Sequence, residues 1–179
     1  MIFVTTASGE KHIALARRMA ESFEEWGWPK LIIATPEEYP EYDDMWKGRG
    51  LKTRFAYFAP DHHLGKVAFV DADCEAVGPY PGDPQVPKGG MSGIVTSRLK
   101  APNGHRMNFL ASTFLVFESV HQARTVCDEW HANLLEDKRE KTDENALHRA
   151  TKYMPAIDSG WFKMPMKNLL HLAATHPID

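Results

Sequence analysis

The chain has 179 residues, 43% of them hydrophobic and 25% charged, the proportions of an ordinary folded domain with a real core. A formal net charge of −3 gives no reason to expect nucleic acid or an anionic membrane as a partner. The two cysteines, Cys74 and Cys127, show neither metal-ligand spacing nor a disulfide framework, so a reducing, cytoplasmic setting is expected.

Met1 to Thr6 has no basic leader region, no apolar run approaches a membrane span, and there are no repeats, so a single domain over 1–179 is expected. In chain order, Ile2 to Thr6 reads as a strand. Ala7-Ser8-Gly9 is the turn after it, with Ser8 as the N-cap of a helix from Glu10 to Trp26. Ile13, Ala16, Ala20 and Phe23 recur there at helical spacing, and Gly27 ends the run. Leu31 to Ala34 is a second strand. A strand, a helix and a strand in so short a span form a βαβ unit, which favours a parallel sheet. Glu37 to Asp44 is acidic and turn-rich. A helix follows over about Trp46 to Phe58, carrying Lys47, Arg49, Lys52 and Arg54.

Val67 to Val70 is a short β-branched apolar run, the pattern of a strand buried on both faces. Where it ends, two carboxylates stand one residue apart, Asp71 and Asp73, with small Ala72 between them. Strand alternation puts both on one side. Two like charges so close invite a divalent cation, and carboxylate oxygens suit Mg²⁺ or Mn²⁺. The prolines at 79, 81, 84 and 87 make the next segment a loop. Met91 to Ser97 is a strand, Pro102-Asn103-Gly104 a turn, and Asn108 to Glu118 a strand. Val120 to Leu135 is an amphipathic helix and Glu136 to Lys141 a charged loop. Thr142-Asp143-Glu144 opens a further helix, where a cap and the helix dipole alone account for the acidic residues.

Phe69-Val70-Asp71-Ala72-Asp73 resembles the Asp-X-Asp motif of the GT-A-fold, nucleotide-sugar-dependent glycosyltransferases. The resemblance extends in order over most of the chain. It implies a Rossmann-like GT-A fold, α/β with a mostly parallel central sheet and flanking helices. The implied activity is a hexosyltransferase-like transfer that uses a nucleotide-diphosphate sugar and Mn²⁺ or Mg²⁺. Asp71 and Asp73 are then metal ligands, and His171, in the apolar run before His176-Pro177, is the third. Thr5, Thr6 and Ala7, at the end of the first strand, contact the nucleotide in that family, although a plain strand-to-helix turn explains them as well. Lys52, Arg54 and His176 would face the diphosphate, Arg54 standing 17 residues before Asp71 as a basic residue does in the family. Asp143 would hold the donor sugar, with Glu144 near the reacting carbon. The chain departs from the family at Ala111-Ser112-Thr113, where Asn-Ser-Gly is usual; Thr113 fills space that a glycine leaves open beside the sugar. The acceptor is not specified. The chain leaves little room for an acceptor subdomain, so a partner, a second copy in a homo-oligomer or an open face is expected to hold it.

Two other readings compete. The same five residues resemble the nucleophile motif of haloacid-dehalogenase-like phosphatases, with Asp71 as nucleophile and Asp73 as acid/base. Against this, about 70 residues precede the motif and Glu75 stands where that family has threonine. The third reading is a non-catalytic GT-A-like domain that binds a nucleotide or a partner.

Overall fold

The computed structural model describes residues 1–42, 51–86, 90–100, 106–136, 143–152 and 168–171. Strand β1 is Ile2–Thr6, helix α1 Glu10–Glu25, β2 Leu31–Ala34, β3 Val67–Val70, β4 Cys74–Ala76, β5 Met91–Lys100 and β6 Arg106–Phe117. Helices α2, Val120–Glu136, and α3, Asp143–Lys152, come next, and β7 is Leu169–His171. The central sheet has the order β2-β1-β3-β6-β5. β1 runs parallel to β2 and β3, while β6 is antiparallel to both β3 and β5, so β6 alone is reversed in a mostly parallel sheet.

Period-two alternation divides each central strand between two cores. Val4, Val67, Phe69, Leu115 and Phe117 face one core, which holds Phe55, Trp130 and Leu147 from the helical segments on that side. Phe3, Ala68, Val70, Phe114 and Val116 face the other, with Met19 and Phe23 of α1 and with Trp28. All four residues of β3 are buried, as a strand covered on both faces requires. Helices on two faces of one sheet are the three-layer α/β arrangement that the βαβ opening predicts.

Local details refine or correct the expectations. Ser8 does not cap α1. The N-cap is Gly9 at φ 76°, a backbone conformation that glycine adopts at little cost, and no side chain caps it. The helical segment before β3 is wound as a 3₁₀ helix over Leu51–Tyr57; residues 43–50, with Trp46, Lys47 and Arg49, lie outside the described residues. β5 and β6 are longer than the apolar pattern indicates, because they pair with each other well beyond the four residues of β3. Finally, β4 and β7 form an antiparallel two-stranded sheet of their own, with Cys74 opposite His171. β4 is docked on α1 by the hydrogen bond from Ala76 N to Ser22 Oγ at 2.9 Å.

Candidate functional site

In an open α/β sheet, ligands bind beyond the carboxyl ends of the parallel strands. β1 and β3 are parallel neighbours in the register Val4↔Phe69, and continuing it brings Thr6 level with Asp71. A cleft of about 410 Å³ opens there, lined by Thr6, Ser8, His12, Leu51, Lys52 and the Asp71-Ala72-Asp73 segment. The two aspartates do share one side, but not through strand alternation. β3 stops at Val70, and a turn closed by Cys74 N donating to Asp71 O at 3.1 Å carries Ala72 and Asp73 round into β4. Asp71 N donates to Thr113 O at 2.9 Å, which ties the motif to β6.

Lys52 is the basic residue that reaches this cleft. Its Nζ lies 3.4 Å from Asp71 Oδ1 and donates to Ser112 Oγ at 3.1 Å. Ser112 is only 1% exposed. Three segments remote in sequence therefore converge on one ammonium: the 3₁₀ helix, the end of β3 and β6.

Arg54, expected at the diphosphate, is directed elsewhere. It donates to Asp128 Oδ1 on α2 and lies over the Tyr57 ring, 5.4 Å from its centroid. Tyr57 also donates to Asp128, at 2.7 Å, and Thr53 Oγ1 lies 2.9 Å from His131 Nδ1. The reason is the 3₁₀ geometry. With three residues per turn, Arg54 and Tyr57 share one face and both meet α2, while Lys52 and Phe55 share another. Burial, then the neighbouring Arg54 guanidinium, lowers the pKa of His131, with Asp128 opposing.

At the end of β1, Thr6 lines the cleft, whereas Thr5 and Ala7 are buried. Thr5 Oγ1 has no hydrogen-bond partner among the described residues, and Ala7 packs with Ala16 and Ala72. Asp143 and Glu144 open α3, but their side chains lie outside what the structure describes, as do Thr142 and His176 altogether. The backbone of His171 sits opposite Cys74, next in sequence to Asp73; its side chain too lies outside the description. Cys74 and Cys127 are free and buried, and burial pushes the Cys127 thiol up to about 12, which makes both structural rather than reactive.

Ser8, expected only as a helix cap, and His12, not expected at the site, also line the cleft. The available signal was topological: the first turn of a helix that follows a parallel strand lies at the carboxyl edge, so polar residues there face the ligand crevice. For a divalent cation, Asp71 and Asp73 offer hard oxygen donors on one cleft, and the donor type fits Mg²⁺ or Mn²⁺. Among the described residues no set of three His, Cys, Asp or Glu side chains is grouped to hold a metal.

No protein-family model and no curated protein matches this sequence. Solved structures do match. An active-site mutant of LgtC aligns over 84% of this chain and 70% of its own, with TM-score 0.53 and 12% identity. The apo-form glycosyltransferase GlyE of Streptococcus pneumoniae aligns over 86% of this chain and 43% of its own, with TM-score 0.55 and 12% identity. Both neighbours are glycosyltransferases, and the fold of this chain is GT-A-like. At that identity the likeness concerns the fold. Among the described residues no helix is long and apolar enough to cross a membrane.

Proposed function

We propose that this chain is a metal-dependent glycosyltransferase whose donor is a nucleotide-diphosphate sugar. The observation that carries the reading is the meeting of Asp71, Asp73 and Lys52 on one cleft at the carboxyl edge of a GT-A-like sheet. Asp71 and Asp73 would hold Mn²⁺ or Mg²⁺, with His171 beside them, and the cation would supply charge neutralisation at the leaving diphosphate. Lys52 adds positive charge on the same side, and His176 is proposed to do so from the C-terminal segment. Thr6 lies where a nucleotide would meet the end of β1. Asp143 and Glu144 are proposed to hold the donor sugar and to lie near its reacting carbon; a helix N-terminus keeps such carboxylates ionised and able to accept sugar hydroxyls. The acceptor is proposed to bind on an open face, or with the help of a partner or second copy.

The test is a thermal-shift screen of nucleotide sugars with and without Mn²⁺, because a ligand that binds only the folded chain raises its melting temperature. We expect stabilisation by at least one nucleotide sugar that depends on Mn²⁺ and is lost in Asp73→Ala. Equal stabilisation of wild type and Asp73→Ala would reject the role of the motif. Release of free sugar from the stabilising donor would separate an enzyme from a binding domain.

A further inference from the structure

Among the described residues that line the cleft, two carboxylates, Asp71 and Asp73, stand beside one ammonium, Lys52, an arrangement that favours a cation over a diphosphate. Lys52 is also placed with some care. Its ammonium bridges Asp71 Oδ1 at 3.4 Å and Ser112 Oγ at 3.1 Å, with about a quarter of each charged side chain exposed. Three residues on in the same 3₁₀ helix, Phe55 is fully buried, with ring centroids 5.1 Å from Phe69 and 5.7 Å from Phe117. An ammonium and a divalent cation cannot share one carboxylate edge without strong repulsion.

We propose that Lys52 is a resident counter-ion that competes with the divalent cation for Asp71 and is displaced when that cation binds. This rests on the metal reading given above and adds a linkage to it. With the cation in place, the ammonium leaves Asp71 and is free to meet an anion arriving at the cleft mouth. Lysine suits this exchange because its charge is compact, its stem flexible and its three donors re-aimed at little cost; the fork of an arginine would lock on the carboxylate. The cation would thus be opposed by Lys52 when alone and supported by it once a phosphate is present. Such coupling is reciprocal: phosphate must tighten the cation by the factor by which the cation tightens phosphate.

The experiment measures Mn²⁺ affinity, by titration calorimetry and by the spin resonance of free Mn²⁺, with no nucleotide present. Wild type, Lys52→Met, Lys52→Arg and Asp73→Ala are compared, each checked for cooperative melting. Removing a like charge a few ångströms away in a half-exposed cleft is expected to tighten Mn²⁺ by about tenfold in Lys52→Met. Lys52→Arg keeps the charge and should bind Mn²⁺ no tighter than wild type. Lys52→Gln replaces the methionine variant should the latter not fold. Unchanged or weaker Mn²⁺ binding in the neutral variants overturns the proposal, and if Asp73→Ala still abolishes binding, the metal reading survives that outcome. No Mn²⁺ binding in any variant overturns both.

Discussion

Two residues of one short helix have opposite fates. Lys52 and Arg54 are both basic, both on Leu51–Tyr57 and both about a quarter or less exposed, yet Lys52 meets Asp71 and Ser112 in the cleft while Arg54 meets Asp128 on α2. One face of the helix serves the site and the other serves the fold. The lesson is that charge and distance along the chain do not assign a role. The screw of the helix does, and positions two apart never face the same way. Around Arg54 the fold-serving face is densely made: Arg124 lies over the same Tyr57 ring at 5.3 Å and donates to the carbonyls of Ala56 and Ala59, each at 3.2 Å.

The largest way to break this division is to remove what fixes both faces at once. Phe55 anchors the helix and is entirely buried against Phe69 and Phe117. Phe55→Ala should cost about 3–5 kcal/mol of stability, read from denaturant unfolding. It should also blunt any Mn²⁺-dependent stabilisation by nucleotide sugar. A loss below 1 kcal/mol would mean that the helix is not anchored where we place it.

Next in size is the contrast between the two basic residues themselves. Lys52→Met should lower donor hydrolysis or sugar transfer by about 100-fold, the scale for losing one well-placed charged group, with little change in melting temperature. Arg54→Met should do the reverse. It leaves Asp128 without its guanidinium and should cost about 1 kcal/mol, or about 2–4 °C in melting temperature, while activity is kept. If Arg54→Met loses activity at unchanged stability, the roles assigned to the two faces are wrong.

Much of this architecture is legible in the residues alone, and the failures have physical causes. β1, β2 and β3 fall on the apolar runs that announce them, and α1 and α2 on their 3.6-residue periodicity, because packing on both faces of the sheet demands those patterns. The Asp71/Asp73 cleft follows from a carboxylate pair at the end of a buried strand. The 3₁₀ winding over Leu51–Tyr57 is not legible: charged and aromatic residues at these spacings suit an α-helix equally, and only contact with Asp128 and Asp71 shows which way each points. The β4–β7 pairing is hidden for another reason. Three-residue strands carry almost no periodic signal, and their partners lie nearly a hundred residues apart, at Cys74 and His171.

The smallest effect tests the fold-serving face through a proton. His131 lies on α2 with Nδ1 2.9 Å from Thr53 Oγ1, and its pKa is lowered from 6.5, first by burial and then by the Arg54 guanidinium, against the pull of Asp128. A histidine with a lowered native pKa is held neutral by the fold, so the unfolded chain binds the proton more readily. The sign follows. This contribution to stability is complete above 6.5 and is lost progressively as pH falls from there towards the native value. His131→Gln should therefore flatten the decline in melting temperature as pH falls below 6.5 and leave the values well above it nearly unchanged. Arg54→Met removes one of the two causes, so the His131 resonance in that variant should titrate at a higher pH than in wild type. Lys52→Met, on the opposite face, should not move it. A His131 pKa that responds to Lys52 and not to Arg54 would show that the two faces of the helix are not separated as the structure has them.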